Sequence, residues 1–509
     1  MAGMREWIEN LADRPRIVAH RLAWETNPRL AFTLAVLVVV GAAVAPLYAV
    51  LIGSLVGAAA RHASVTGGLV ALGTVYAVSQ VLGPAREAVS SILSRRVDDR
   101  VRGQMMDAML RPHGIAHLED ASLQDKLELA RGIAWGITPG ATVGGLAQLW
   151  FSRLSSLGSL VLVARFSWWL ALVLLAANLT TLRSKRKAYI NLTQLYAQGT
   201  ERLRKSSYFR EVALGAESAK EARVFGLGPW AVGRFDAAWF ETMQTVWAER
   251  RRGGLVVTAG LLLKGVVTLG AFVYVANEAF GSTGQPPQNF VVLVQALIGV
   301  TSLSMVLGNP EIIVEQGTSA IRPTLEVERD IAAHSASAIR GEQGVVAPQR
   351  VIAFENVSFT YPGRDEPVFD GLDLEIPAGR SLAIVGDNGA GKTTLVKLLA
   401  RLYDPTSGRI TVDGAPLTDI DPAAWHQQLA AIFQDFGRYA LTAAENVGLS
   451  SFGEPPDFDA LNRVADRVGI RPHTDGWEHG WDSVLNRQFD KGVEASGGEW
   501  QRVALARAL

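Results

Sequence analysis

The sequence contains no cysteine. That excludes a disulfide scaffold, thiolate zinc sites, iron–sulfur clusters and cysteine catalysis. It is also poor in charge: Asp, Glu, Lys and Arg make up 19% of the chain, against about 25% in ordinary soluble proteins. Neither sign dominates, with 49 basic and 49 acidic residues. This balance argues against a nucleic-acid binder and against an acidic disordered chain. What the chain has instead is apolar residues, 49% of its 509, with 50 glycines and a mean hydropathy of +0.17. The length allows two to four domains of about 150 residues each.

The apolar residues concentrate before about residue 310. Residues 30–60 are almost uncharged and, at about 1.5 Å per helical residue, reach across a roughly 30 Å hydrocarbon core. Further spans are expected at 66–93, 140–164, 168–182, 254–276 and 290–307. The second contains Pro84, Arg86 and Glu87, and the fourth is short. The alternative is a set of buried core helices in a large soluble protein, but one-sided soluble helices carry a polar stripe that these lack. Six spans leave both termini on one side. The segments on that side (1–29, 95–134 and 183–252) hold 26 Lys and Arg, against Arg61 and Arg165 on the other. The positive-inside rule makes the charged side cytoplasmic. No signal peptide is expected, because the first apolar run is too long for one. Mixed-charge helical spacing in 95–110 and 200–225 suggests that the membrane helices continue into the cytoplasm. Arg153, Lys264 and Gln295 fall near span centres. Charge is costly there and usually faces a cavity, so Lys264 is the expected substrate-pathway residue.

The pattern changes after residue 334. Residues 335–350 read as a linker, and 351–509 as short strands alternating with helices. Strands are expected at 352–359 and 381–385, and a helix at 392–402. Between the second strand and the helix lies Gly386-Asp387-Asn388-Gly389-Ala390-Gly391-Lys392-Thr393-Thr394, a P-loop in its required strand–loop–helix setting. Glycines let backbone N–H groups wrap a phosphate, and the helix start adds about half a positive charge. Lys392 is then placed for the β- and γ-phosphates of ATP, and the Thr393 hydroxyl for Mg²⁺.

About 110 residues later stands Ala495-Ser496-Gly497-Gly498-Glu499-Trp500-Gln501-Arg502. It resembles the signature motif of ATP-binding cassette (ABC) proteins, usually Leu-Ser-Gly-Gly-Gln. The resemblance implies that Ser496, Gly497, Gly498 and Glu499 close over the nucleotide held by a second cassette. Ala495 departs from the family leucine, which implies a looser loop. Tyr361 resembles the aromatic that stacks on adenine. Gln434 resembles the Q-loop glutamine, which touches Mg²⁺ and the membrane domain, and the segment from Tyr439 to Val447 resembles the stretch that follows it. Residues 202–234 resemble the second intracellular loop of six-span exporters. The fold so implied is multi-domain: an N-terminal segment (1–29), an all-α six-helix transmembrane domain (30–334), the linker, and an α/β P-loop NTPase domain of ABC type (351–509).

The family pattern continues past the signature helix into an apolar strand ending in Asp-Glu, the Walker B motif, and then a switch histidine. Neither follows the signature within the 509 residues. The expectation is a chain truncated before Walker B, with no catalytic residue of its own and unable to hydrolyse ATP alone. The run from Ile410 to Asp413 is expected to be a hairpin, and His426, His473 and His479 surface residues. The resemblance implies an ATP-binding half-transporter in the lipid bilayer of the plasma membrane. It would pair with a second ABC half-transporter, without nucleic acid, to export an unidentified lipid, peptide or drug-like substrate. The alternatives are a non-hydrolysing ATP-sensing subunit that regulates a complete partner, and a P-loop enzyme merely anchored by helices.

Overall fold

The computed structural model describes residues 15–130, 138–198, 200–216, 218–280, 286–304, 310–338, 347–451, 457–471 and 476–509. Arg5, Arg14, Arg131, His473, residues 305–307 of the sixth expected span and most of the expected linker (339–346) lie outside the described residues. Two compact units result: residues up to Arg111 with Asp120–Ala333, and Pro112–Glu119 with His334–Leu509.

The first unit is helical: α1 Pro15–Thr26, α2 Pro28–Ala60, α3 Thr66–Leu110, α4 Ala121–Ala130, α5 Ala141–Phe166, α6 Trp168–Gln198, α7 Thr200–Leu214, α8 Ala219–Val224, α9 Gly228–Phe280, α10 Pro287–Thr301 and α11 Pro310–Ala338. Among the described residues α2, α3, α5 and α9 are long and apolar enough to cross a membrane, by length and composition; α10 is apolar but shorter. This is the character of a multi-pass membrane protein. A helix pairs its backbone groups internally, which is what hydrocarbon demands. The start of α2 is set by Asn27, whose side chain accepts from the Leu30 N–H at 3.0 Å, and by Pro28 in the first turn. At 45 and 53 residues, α3 and α9 are about 67 and 80 Å long, more than twice the core thickness. One apolar cluster (Val163, Leu174, Val275, Leu297) joins α5, α6, α9 and α10. Another (Ala23, Leu34, Leu93, Val143) joins α1, α2, α3 and α5.

In the second unit, β1 Val351–Phe359 and β2 Phe369–Pro377 precede helix α12 Lys392–Leu399. Strands β3 Ser407–Val412 and β4 Ala415–Pro416 follow, then α13 Pro422–His426, α14 Ala443–Val447, α15 Phe458–Val468 and α16 Gly497–Arg507. The strand order is β2-β1-β3-β4, and every pairing is antiparallel. In β1, Phe354 and Val357 are both buried although three residues apart. A bulge at Glu355–Ser358, with Asn356 at φ +47°, restores the facing that strict alternation would break. The expected hairpin after Ile410 forms: Asp413 (φ +53°) and Gly414 (φ +96°) turn β3 into β4. The Asp413 carboxylate accepts the backbone N–H groups of Gln349 (2.7 Å), Val351 (2.9 Å) and Arg350 (2.7 Å). These bonds, the one from Gln349 foremost, hold its carboxyl below the usual carboxylate range.

The second expected strand does not form. Residues 381–385 belong to no strand or helix and are exposed, Val385 at 90%. The sequence shows an apolar run, but a strand exists only when a neighbour takes its N–H and C=O groups, and none of the described residues does so. The helix after the P-loop also ends at Leu399 rather than 402.

The sheet and α12 share a core of Phe354, Val357, Phe359, Leu395, Leu398, Ile410 and Trp425. Trp425 is 1% exposed and its Nε1 donates to the Leu399 carbonyl at 2.9 Å. Trp425→Ala is therefore expected to destabilise the second unit by about 3–5 kcal/mol, read as an earlier transition in a thermal melt of the full chain.

Candidate functional site

The P-loop is built by β2 leading through 378–387 into a turn at 388–390 and then α12. Gly389 (φ +90°) and Gly391 (φ +87°) are left-handed, a backbone that glycine adopts at little cost, and the Ala390 N–H between them donates to the Asp387 carbonyl at 3.2 Å. At Gly391 a Cβ would also fall 2.8 Å from the Phe369 ring. Two separate constraints thus require glycine there. Lys392 folds back over the loop, its Nζ donating to the carbonyls of Gly386 (2.8 Å) and Asp387 (2.7 Å). This holds the ammonium against the carbonyls at the start of the loop. Asp387, Asn388 and Ala390 are exposed.

The two threonines diverge. Thr393 is exposed at the helix start, while Thr394 is buried and its hydroxyl is hydrogen-bonded to that of Tyr361 at 3.0 Å. The P-loop helix and Tyr361 are therefore brought together, but through Thr394. The Tyr361 ring packs edge-on against Phe359 (4.9 Å) and Tyr403 (5.3 Å), with Lys397 and Arg364 at 5.3 and 5.7 Å from its centroid. Gln434 lies in an exposed turn at 434–435.

The signature residues belong to a second core, formed by α14, α15, α16 and their loops, and not to the one beneath the P-loop. Ser496 caps α16. Its hydroxyl accepts the Glu499 N–H at 3.3 Å, and the Glu499 carboxylate accepts the Ser496 N–H at 2.5 Å. Glu499 is thus committed to its own helix, and Gly497 and Gly498 lie in the first turn, exposed or half-exposed. Ala495 is 7% exposed, in one apolar cluster with Trp477, Trp481 and Trp500. The small side chain is enclosed by that core rather than left in a loose loop.

Several functional contacts carried no signal in the sequence. Arg507, at the end of α16, donates to the carbonyls of Asn446 (2.9 Å) and Gly437 (2.6 Å) and to Asn446 Oδ1 (2.5 Å). Burial pulls its guanidinium below the ordinary arginine value. Asn446, fully buried, donates in turn to Tyr439, Leu441 and Thr442. The signature helix is thereby tied to the segment after Gln434. Residues 112–119 pack on the cassette: Ile115 N–H donates to the Leu402 carbonyl at 3.0 Å, and a Cβ on Gly114 would crowd that same oxygen. Lys397 is 3.8 Å from Glu119. His426, expected at the surface, is half-buried, with Nε2 2.8 Å from the Ala400 carbonyl and its ring 6.2 Å from His113. His479 is exposed.

In the helical unit Lys264 is buried and hydrogen-bonded, Gln295 is half-buried, and Arg153 lies within electrostatic reach of Arg16, Arg186 and Glu311.

Residues 369–509 match the family model described as ABC transporter. The chain is 27% identical over 367 residues to the ATP-dependent lipid A-core flippase of Chromobacterium violaceum, covering 70% of this chain and 59% of that one. It is 36% identical over 167 residues to the subtilin transport ATP-binding protein of Bacillus subtilis, covering 32% and 27%. The solved structure of a bacterial Atm1-family ABC exporter with ATP bound superposes with a TM-score of 0.68, covering 94% of this chain and 84% of that one, at 21% identity. The chain shares the fold of that exporter structure. It combines a helical membrane-type domain with an ABC domain, and it covers less than two thirds of the length of these two curated relatives.

Arg507 joins the signature helix to the segment after Gln434. Arg507→Ala is expected to cost about 1–3 kcal/mol and to lower the thermal transition, while Arg507→Lys recovers only part, because a single ammonium cannot reproduce the forked donors.

Proposed function

We propose that this chain is the ATP-binding half of an ABC exporter. In this reading Gly386, Asp387, Asn388, Gly389, Ala390 and Gly391 wrap the phosphates with their backbone, and the Lys392 ammonium exchanges its two carbonyl bonds for β- and γ-phosphate oxygens. The observation that carries this is the left-handed pair Gly389 and Gly391 at the start of α12, with Lys392 already over the loop. Tyr361 stacks on the adenine, and Thr394 steadies Tyr361 rather than touching the nucleotide.

The fit for Mg²⁺ is narrower. Among the described residues no group of three His, Cys, Asp or Glu could hold a metal ion. Thr393, exposed at the helix start, supplies one oxygen, and Gln434 is proposed as a second, with phosphate oxygens and water completing the shell. A metal held this way supplies charge neutralisation at the β- and γ-phosphates.

ATP then lies between this P-loop and a partner's signature, while Ser496, Gly497 and Gly498 meet the partner's nucleotide. The pairing is with a second half-transporter, in a plasma membrane, with six spans and both termini cytoplasmic; the 26-to-2 division of basic residues supports that orientation. Export of a lipid, a peptide or a drug-like compound fits equally. The relatives' names, a lipid A-core flippase and a subtilin transporter, point to different cargoes.

A second reading is an ATP-sensing subunit that binds nucleotide and leaves turnover to a complete partner. Nucleotide binding is common to both readings and is tested first. Lys392→Ala is expected to weaken binding of a fluorescent ATP analogue to the purified chain by roughly tenfold or more, leaving the melt unchanged. Equal affinity in the two proteins would remove the proposal.

A further inference from the structure

The end of α10 is a polar node inside the apolar unit. The helix has 15 residues, so its carbonyl end lies about 22 Å from its start, within a roughly 30 Å core. Residues 302–304 leave it in a turn. The carbonyls this releases are met by side chains from neighbouring helices. On the α5 side, Ser156 donates to Gly299 O (3.1 Å) and Ser152 to Ser302 O (2.8 Å). On the other side the donors are two lysines. Lys264 of α9, 5% exposed, donates to Thr301 O (2.6 Å) and Ser304 Oγ (2.8 Å). Lys185 of α6 donates to Ser304 O (2.6 Å). Ser304 Oγ donates onward to Asn178 Oδ1 at 2.8 Å.

The charges do not balance. Two ammonium groups are held on one residue, Ser304, against a helix C-terminus worth about half a negative charge. Among the described residues neither lysine has a carboxylate partner. The donors do not balance either: an ammonium has three, and these bonds use two on Lys264 and one on Lys185. A structural cap would need one cation. Two, with donors to spare, suit a ligand that brings negative charge and several acceptor oxygens.

We propose that Lys185 and Lys264 form an oxyanion-binding site in the helical unit, and that the cargo carries a phosphate or carboxylate group. This rests on the exporter reading and narrows its substrate class.

The test uses the full chain in phosphatidylcholine nanodiscs and three probes: decyl phosphate, decyltrimethylammonium and inorganic phosphate. Decyl phosphate is expected to bind saturably, about tenfold or more weakly in Lys264→Met and in Lys185→Met, and near wild-type strength in Lys264→Arg. Decyltrimethylammonium should be indifferent to all three substitutions. Binding of inorganic phosphate that is lost in the same variants would support the oxyanion site as well. Unchanged decyl phosphate affinity in both Met variants, no saturable binding of either phosphate, or equal binding of the cationic probe would overturn the site. Lys185→Met leaves both Lys264 bonds in place, so it serves if Lys264→Met fails to fold. ATP-analogue binding on the same discs separates the two claims: its absence beside intact decyl phosphate binding defeats the ATP-driven reading and spares the site.

Discussion

A helix leaves four N–H groups unpaired at its start and four carbonyls at its end, and each must find a partner. Three such ends organise this protein. At the start of α12 the left-handed Gly389 and Gly391 shape the loop, and Lys392 bonds back to its carbonyls. At the start of α16 they are answered internally, by the reciprocal bonds of Ser496 and Glu499. At the end of α10 the carbonyls are answered by serines and by two lysines. The first end attracts anions, the second is capped by its own residues, and the third draws cations into a region that otherwise repels them. The chemistry assigned to the chain follows from how each end is completed.

The same accounting separates the two units. In the helical unit, long helices close their own ladders, so apolar side chains can face outward: Val161, Leu172 and Val266 are 66, 55 and 69% exposed. In the cassette unit a strand depends on neighbours. β1, between β2 and β3, has them; the run at 381–385 does not. The P-loop is consequently held from one side, by Gly391 against Phe369 and by α12 in the sheet core.

Much of this is legible in the residues. Apolar runs mark the membrane-type helices because composition alone decides them. The P-loop and the turn at Asp413 and Gly414 are legible because left-handed backbone is affordable to few residue types. Pairing is not legible in the same way. Nothing in the run Ser381, Leu382, Ala383, Ile384, Val385 says whether a neighbour will accept its backbone, and nothing in the pair Thr393 and Thr394 says which hydroxyl turns inward. Lys264 announces an unusual charge, but its partner Ser304 lies 40 residues away and Lys185 nearly 80. Arg507 and Asn446 read as ordinary helix residues until the fold brings them within 2.5 Å.

The central claim is that the backbone of 386–394, topped by Lys392, is the anion site on which the rest of the account depends. Hydrogen exchange at those amides with and without saturating MgATP tests it most directly. The account expects exchange to slow at 386–394 on adding nucleotide, while the β1 and β3 amides, already in ladders, stay as they were. Exchange at 386–394 that is the same with and without MgATP would contradict it.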